Sequence, residues 1–261
     1  MTGPLVSIVI PCYRSGEYIR RCVESILGQT YSTWEAIFVI DGCNQDTTFE
    51  KILYYASEDI RIRYIASGGK TNCATARNTG YKKSNGDYLY FLDADDWLEP
   101  QCLETLVAVL ENNSQLLWCV SHRMGFLGVT TYLIDQCPGT DSTIGGIGGT
   151  LFKRCCLEDV IKKYGYLFDA SLNHTDDGDL VLRTRRYPHV MIESVLSGYL
   201  WNTEGLTAKT HWFEQQFGII KMMVKRGAWD LLPDALYNTG ILCVNKTFGI
   251  DLVKIKKGLF K

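Results

Sequence analysis

No run of apolar residues in this chain approaches the length of a membrane-spanning helix, so no transmembrane anchor is expected. Neither sign of charge dominates: 27 basic residues against 29 acidic leave a formal net charge of -2. That balance argues against a nucleic-acid partner and leaves anionic substrates open, provided a metal or local basic groups handle their charge. No low-complexity linker or internal repeat divides the 261 residues, which suffice for one large domain or two closely joined halves. Nothing ahead of the apolar run at residues 5–10 is long enough to act as a secretory leader, so a cytoplasmic location is expected. The ten cysteines are then expected as free thiols, and Cys155-Cys156 lack a second pair at zinc-site spacing.

What the chain does contain is alternation. Residues 5–10 and 35–40 are continuous apolar runs of the kind a strand buried on both faces requires. Residues 60–66 and 87–92 fit two further strands, and helical patterns over 17–27, 45–56 and 72–83 separate the four. Such an order predicts an α/β fold with a mostly parallel sheet and helices on both faces. Parallel strands present their carboxyl ends on one side, so Pro11, Asp41 and the acidic residues after residue 92 are expected to share a crevice. Beyond Pro100 the pattern is mixed: a helix over 101–110, a strand over 116–120, strand and turn over 124–134, and a Gly/Ser/Thr-rich loop over 141–149. Helices are expected again over 158–164, 177–185 and 212–226.

The string Phe91-Leu92-Asp93-Ala94-Asp95-Asp96-Trp97 ends a hydrophobic strand with three crowded carboxylates. Like charges this close raise one another's pKa, and a hard divalent cation such as Mg2+ or Mn2+ removes the penalty. Asp95 is the expected direct ligand; Asp93 would bind the ion through water or hold a sugar hydroxyl, and Asp96 would orient the shell. Asp41 could accept an N–H from a nucleobase, or serve an Asx-turn or cap the following helix. Arg77 could serve a diphosphate or a base carbonyl, or make a surface ion pair, while Asn78 could brace neighbouring backbone. The second acidic cluster, Asp176-Asp177-Gly178-Asp179, could cap its helix or take a proton from an acceptor hydroxyl. His174 and His211 are expected to be structural.

Four strings resemble, in order and spacing, those of family 2 GT-A glycosyltransferases. They are Val6-Ser7-Ile8-Val9-Ile10-Pro11-Cys12-Tyr13, Ser25-Ile26-Leu27-Gly28-Gln29-Thr30-Tyr31, Ala76-Arg77-Asn78-Thr79-Gly80 and the stretch from Gly86 to Asp96. The resemblance is marked over residues 5–100 and continues more weakly, through Gly148-Gly149 and Asp176-Asp177, to about residue 210. It implies a GT-A, Rossmann-like fold with a nucleotide-sugar-binding half at 1–100, an acceptor-binding half at 101–210 and a helical C-terminal segment at 211–261. It further implies a nucleotide-sugar donor, UDP-linked by preference, contacted by Pro11, Asp41, Arg77, Asn78, Asp93 and Ala94. Mn2+ or Mg2+ would bind at Asp95 and Asp93, and Asp177 would be the base of an inverting transfer to a saccharide or lipid-linked saccharide.

Three departures stand out, one of them Asp176 in place of the glutamate usual before the base. The second strand ends in Ile40-Asp41-Gly42-Cys43 rather than in two acidic residues, and Tyr199-Leu200-Trp201-Asn202 lacks the arginine and histidine common in the family. The four lysines of residues 251–261, opposite Leu252, Ile255, Leu259 and Phe260, suit peripheral contact with an anionic membrane at its inner face, an ordinary docking helix being the alternative. A sugar-phosphate nucleotidyltransferase and a non-catalytic nucleotide-sugar-binding protein are the competing functions.

Overall fold

In the computed structural model, which describes residues 3–42, 46–67, 71–127, 130–134, 147–172, 175–200 and 225, four strands run parallel in the order β3-β2-β1-β4. They are β1 (Val6–Cys12), β2 (Trp34–Ile40), β3 (Ile62–Ala66) and β4 (Tyr88–Phe91). Helices α1 (Ile19–Leu27), α2 (Thr48–Glu58) and α3 (Cys73–Lys83) connect them. Every residue of β2 is buried and only Pro11 of β1 is not, as expected for strands covered on both faces. One face packs Ile8, Ile10, Phe38 and Ile40 against Ile19, Val23 and Ile26 of α1. On the other, Ile37 and Val39 meet Ala76 of α3.

The same sheet continues through β8 (Thr150–Lys153), which pairs antiparallel with β4, to β6 (Trp118–Leu127), β9 (His189–Leu200) and β5 (Trp97–Leu98), while β7 (Thr130–Ile134) pairs with β6. Helices α4 (Cys102–Asn112), α5 (Arg154–Tyr164) and α6 (Asp176–Thr184) complete the described elements. The parallel half is as the sequence predicts. Neither β5, two residues long, nor β9 was legible in the sequence. The pairing of β9 with β6 shifts register where Glu193 and Ser194 stand exposed, and that bulge breaks its alternation. The expected helix at 212–226 apart from Lys225, the basic stretch 251–261, His174 and His211 lie outside the described residues, as does most of the 141–149 loop.

Two features fix the crevice edge of the sheet. Cys12 pairs with Ile40, and the N–H groups of Asp41 and Leu92 donate to the carbonyls of Cys12 (2.8 Å) and Val9 (3.1 Å), so β1 and β2 end together while β4 stops beside Val9. By alternation from Val9, Pro11 turns its N–H-less nitrogen toward β4 beyond that strand's last residue, where no ladder bond is lost. The second feature is Gly80. A Cβ there would come within 2.3 Å of Val9 and 3.2 Å of Val39, so glycine lets α3 lie directly on the strands. Gly80→Ala is expected to cost about 1–3 kcal/mol through overpacking. Urea denaturation reads it as a lower midpoint; an unchanged midpoint would mean that α3 does not depend on this close approach.

At the opposite end of the strands Glu35 closes the sheet. It accepts from Ser7 Oγ (2.6 Å), the Asn85 N–H (2.6 Å) and Arg63 (2.6 Å). Burial alone would raise its carboxyl, but these partners hold it below the usual carboxylate range. That network is remote from the crevice and ties strands together.

Candidate functional site

The turn after β4 sorts its three carboxylates. Asp96 N–H donates to the Asp93 carbonyl at 3.0 Å, and the small Ala94 packs into the core with Cys22 and Leu98. Asp93, whose side chain is 43% exposed, and the partly buried Asp95 are left on the crevice side. Burial pushes the Asp95 carboxyl up to about 6, with Asp93 beside it adding to the shift. Arg21 of α1 stacks on Trp97 at 4.0 Å and donates to the Asp95 carbonyl at 2.6 Å, which fixes the turn from below. Asp96 points the other way. Its carboxylate is ion-paired with the buried Arg123 of β6 and accepts the Leu200 N–H at 3.2 Å, so it joins the acidic turn to β6 and β9. A Cβ at Gly148 would strike the Arg123 guanidinium, which explains a glycine there.

Asp41 stands buried at the end of β2 and holds the segment between β3 and α3. Its two oxygens accept the Thr71 N–H (2.8 and 2.6 Å), Ser67 Oγ (2.7 Å) and Thr71 Oγ1 (3.1 Å). The first N–H of α2, at Thr48, is taken by Asp46, which precedes the N-cap Thr47. Asp46 accepts the Thr48 N–H at 3.1 Å and the Gly16 N–H at 2.8 Å, tying the β1–α1 loop to α2. Arg14 in that loop has φ 50, a left-handed conformation that a non-glycine residue rarely adopts.

Helix α3 is stitched to the segment ahead of α6. Asn78 donates to the Phe168 carbonyl (2.8 Å) and accepts the Phe168 N–H (3.0 Å), so both polar ends of its side chain brace backbone. Asn72 accepts the Thr75 N–H at 2.9 Å as the helix N-cap and donates to the Ala170 carbonyl at 2.8 Å. Arg77 is 5% exposed and spans the two halves of the chain. One terminal nitrogen meets Asp93 and the other Asp176, each at 2.8 Å. The first turn of α6 therefore enters the same crevice. Asp177 is partly exposed there and accepts the Gly178 N–H at 2.8 Å. Burial pushes its carboxyl up to about 6, Asp176 and Asp93 add to the rise, and Arg77 opposes it. Asp179 turns inward to Arg183 at 2.9 Å.

Asp93, Asp176 and Asp177 thus lie around a single bridging guanidinium, with Asp95 beside Asp93, and Pro11 and Asp41 line the same sheet edge. Arg77 and Asn78 contribute to its frame through protein partners. Among the described residues no three or more His, Cys, Asp or Glu side chains are grouped to hold a metal ion by themselves. The seven described cysteines are free.

Comparison with known proteins places this architecture. The chain is 31% identical over 202 residues to an uncharacterized glycosyltransferase of Rickettsia typhi, covering 73% of this chain and 62% of that protein. It is 41% identical over 112 residues to the uncharacterized glycosyltransferase EpsJ of Bacillus subtilis, covering 42% of this chain and 31% of the relative. The chain therefore spans less than two thirds of these relatives. Staphylococcus aureus TarS 1-349 in complex with UDP-GlcNAc superposes with a TM-score of 0.70 at 16% identity, over 84% of this chain and 65% of that one. The mannosyltransferase PcManGT of Pyrobaculum calidifontis in complex with GDP-Man and Mn2+ gives 0.66 at 16%, over 98% and 80%. The shared fold is GT-A, with a Rossmann-like sheet flanked by helices. Residues 7–166, more than half of the chain, match the Glycosyl transferase family 2 model, and the protein belongs to that family.

Proposed function

We propose that this protein transfers a sugar from a nucleoside-diphosphate sugar, UDP-linked by preference, to a hydroxyl of a saccharide or lipid-linked saccharide, with inversion and with help from Mn2+ or Mg2+. The observation that carries the reading is the bridge by which Arg77 joins Asp93, beside Asp95, to Asp176, next to Asp177, at the carboxyl edge of the sheet. Residues 1–100 would bind the donor, residues 101–210 the acceptor, and the basic stretch 251–261 would rest on the inner face of a membrane. No helix among the described residues is long and apolar enough to cross one.

The donor set suits a hard cation. Mg2+ and Mn2+ bind through one or two carboxylates and complete their shells with phosphate oxygens and water, so a pair of aspartates without a third protein ligand is sufficient. The Asp95 carboxyl, desolvated and beside Asp93, carries negative charge that a cation would compensate. When bound, the ion would supply charge neutralisation for the departing diphosphate. Asp177 would take the proton from the acceptor oxygen as that oxygen attacks the anomeric carbon. A carboxyl lifted to about 6 is a stronger base than an ordinary aspartate and remains mostly ionised at neutral pH. Asp41 would accept a base N–H in place of one donor from Thr71 or Ser67, and Pro11 and Ala94 would let main chain approach the nucleotide.

The nucleotidyltransferase alternative needs a loop after β1 whose N–H groups cradle a triphosphate. Here the Ser15 and Gly16 N–H groups are engaged by Thr48 Oγ1 and Asp46, each at 2.8 Å. A panel of UDP-, GDP- and dTDP-sugars, each with Mn2+, Mg2+ or EDTA and with mass detection of products, tests the proposal. Transfer or slow hydrolysis of one donor class, lost with EDTA, is the expected result. Release of pyrophosphate from a triphosphate and a sugar phosphate would replace it with the alternative.

A further inference from the structure

Arg77 is an expensive way to hold two elements together. Its guanidinium is 5% exposed, its Nε has no hydrogen-bond partner among the described residues, and its two terminal nitrogens are divided between carboxylates of different elements. Buried ion pairs seldom improve on well-packed apolar residues as a source of stability, so the arrangement points to a requirement of geometry. Asp176, its buried partner, belongs to the first turn of α6, next to Asp177. Asp93, its half-exposed partner, belongs to the turn after β4. The Phe168 ring lies 5.7 Å from the guanidinium carbon, and the backbone of Phe168 is clamped by Asn78 on the same helix as Arg77. The fork is therefore fixed on α3, which is itself seated on β1 and β2 through Gly80.

We propose that Arg77 is a positioning residue that sets the distance between the donor-side acidic turn and Asp177 by holding the first turn of α6 against Asp93. The inference rests on the glycosyl-transfer reading and adds to it the part that brings the two halves of the site into register. A planar fork with two parallel donors can impose such spacing, whereas a lysine offers a point charge on a flexible stem. Because the deeper of its two ion pairs is with Asp176, beside Asp177, its loss should fall on turnover more than on nucleotide affinity.

Three variants test this: Arg77→Lys, Arg77→Gln and Asp176→Asn. Each would be checked for fold by circular dichroism and thermal melting, then assayed for transfer and for binding of the donor's nucleoside diphosphate with Mn2+ by calorimetry. Arg77→Lys is expected to stay folded, bind the nucleotide within about threefold of the parent and lose about 100-fold in kcat, the scale of a small misplacement of a reacting group. The acid limb of the kcat profile separates positioning from simple support of the fold. It should move up in Arg77→Gln, which removes a charge that lowers the Asp177 carboxyl, and down in Asp176→Asn, which removes one that raises it. If Arg77→Gln fails to fold, the Asp176→Asn shift and its loss of turnover carry the test. An unchanged kcat in Arg77→Lys, or a nucleotide affinity that falls as far as kcat, would overturn the inference alone. Absence of transfer by the parent with every donor would overturn the glycosyl-transfer reading, and the inference with it.

Discussion

Asp177→Asn is expected to cut sugar transfer by about 10²–10⁴-fold, the range that a positioned general base supplies. Donor affinity should hold within about threefold, because the carboxyl lies on α6 and the proposed nucleotide contacts lie at the ends of β1, β2 and β4. The parent's kcat should rise with pH through about 6, since the base works only when ionised and burial beside Asp176 has raised its carboxyl to that value. In Asp177→Asn that limb should vanish along with the rate. Single-turnover measurements over pH 4.5–8, with the product weighed by mass spectrometry, check both effects. A mutant whose transfer rate matches the parent's would remove Asp177 from the chemistry.

Arg123→Met should produce the largest loss of stability. The variant removes the guanidinium from Asp96, 2% exposed, and breaking a buried pair from one side typically costs about 3–5 kcal/mol. The Leu200 N–H would still donate to Asp96, but one neutral donor does not replace a guanidinium. Replacing both partners, Arg123→Met with Asp96→Leu, should recover part of the loss by removing the unpaired buried carboxyl, which burial already pushes up to about 8. Urea unfolding of the two single variants and the double variant closes the cycle. A loss below about 1 kcal/mol for Arg123→Met would show that the pair is weakly coupled to folding.

These two residues mark where sequence reasoning was sufficient and where it was not. The parallel half was legible because its strands are buried on both faces, so each appears as a continuous apolar run between helical periods. Their carboxyl ends followed from topology, which gave the crevice and placed Pro11, Asp41 and the acidic turn on one edge. The mixed half was harder. Strand β8 is four residues long, β5 is two, and β9 carries the bulge at Glu193-Ser194. Side-chain pairing was not legible at all, because Arg77 meets Asp176 across 99 positions and Arg123 meets Asp96 across 27. No local spacing encodes such contacts. The acidic string showed that charge was concentrated, but not that Asp96 turns inward while Asp93 and Asp95 remain at the crevice. For Asp41 the local pattern leaves an Asx-turn and a helix cap open, and its carboxylate instead holds Thr71, 30 positions on.

Titration calorimetry of UDP, GDP and dTDP, with and without Mn2+, on the parent protein and on Asp95→Asn tests the central claim most directly. One nucleoside diphosphate should bind the parent with Mn2+ present, at least about tenfold more weakly without it, and the Mn2+ enhancement should disappear in Asp95→Asn. Equal affinity with and without Mn2+, or an enhancement that survives in Asp95→Asn, would contradict the assignment of the acidic turn as the cation-assisted diphosphate site.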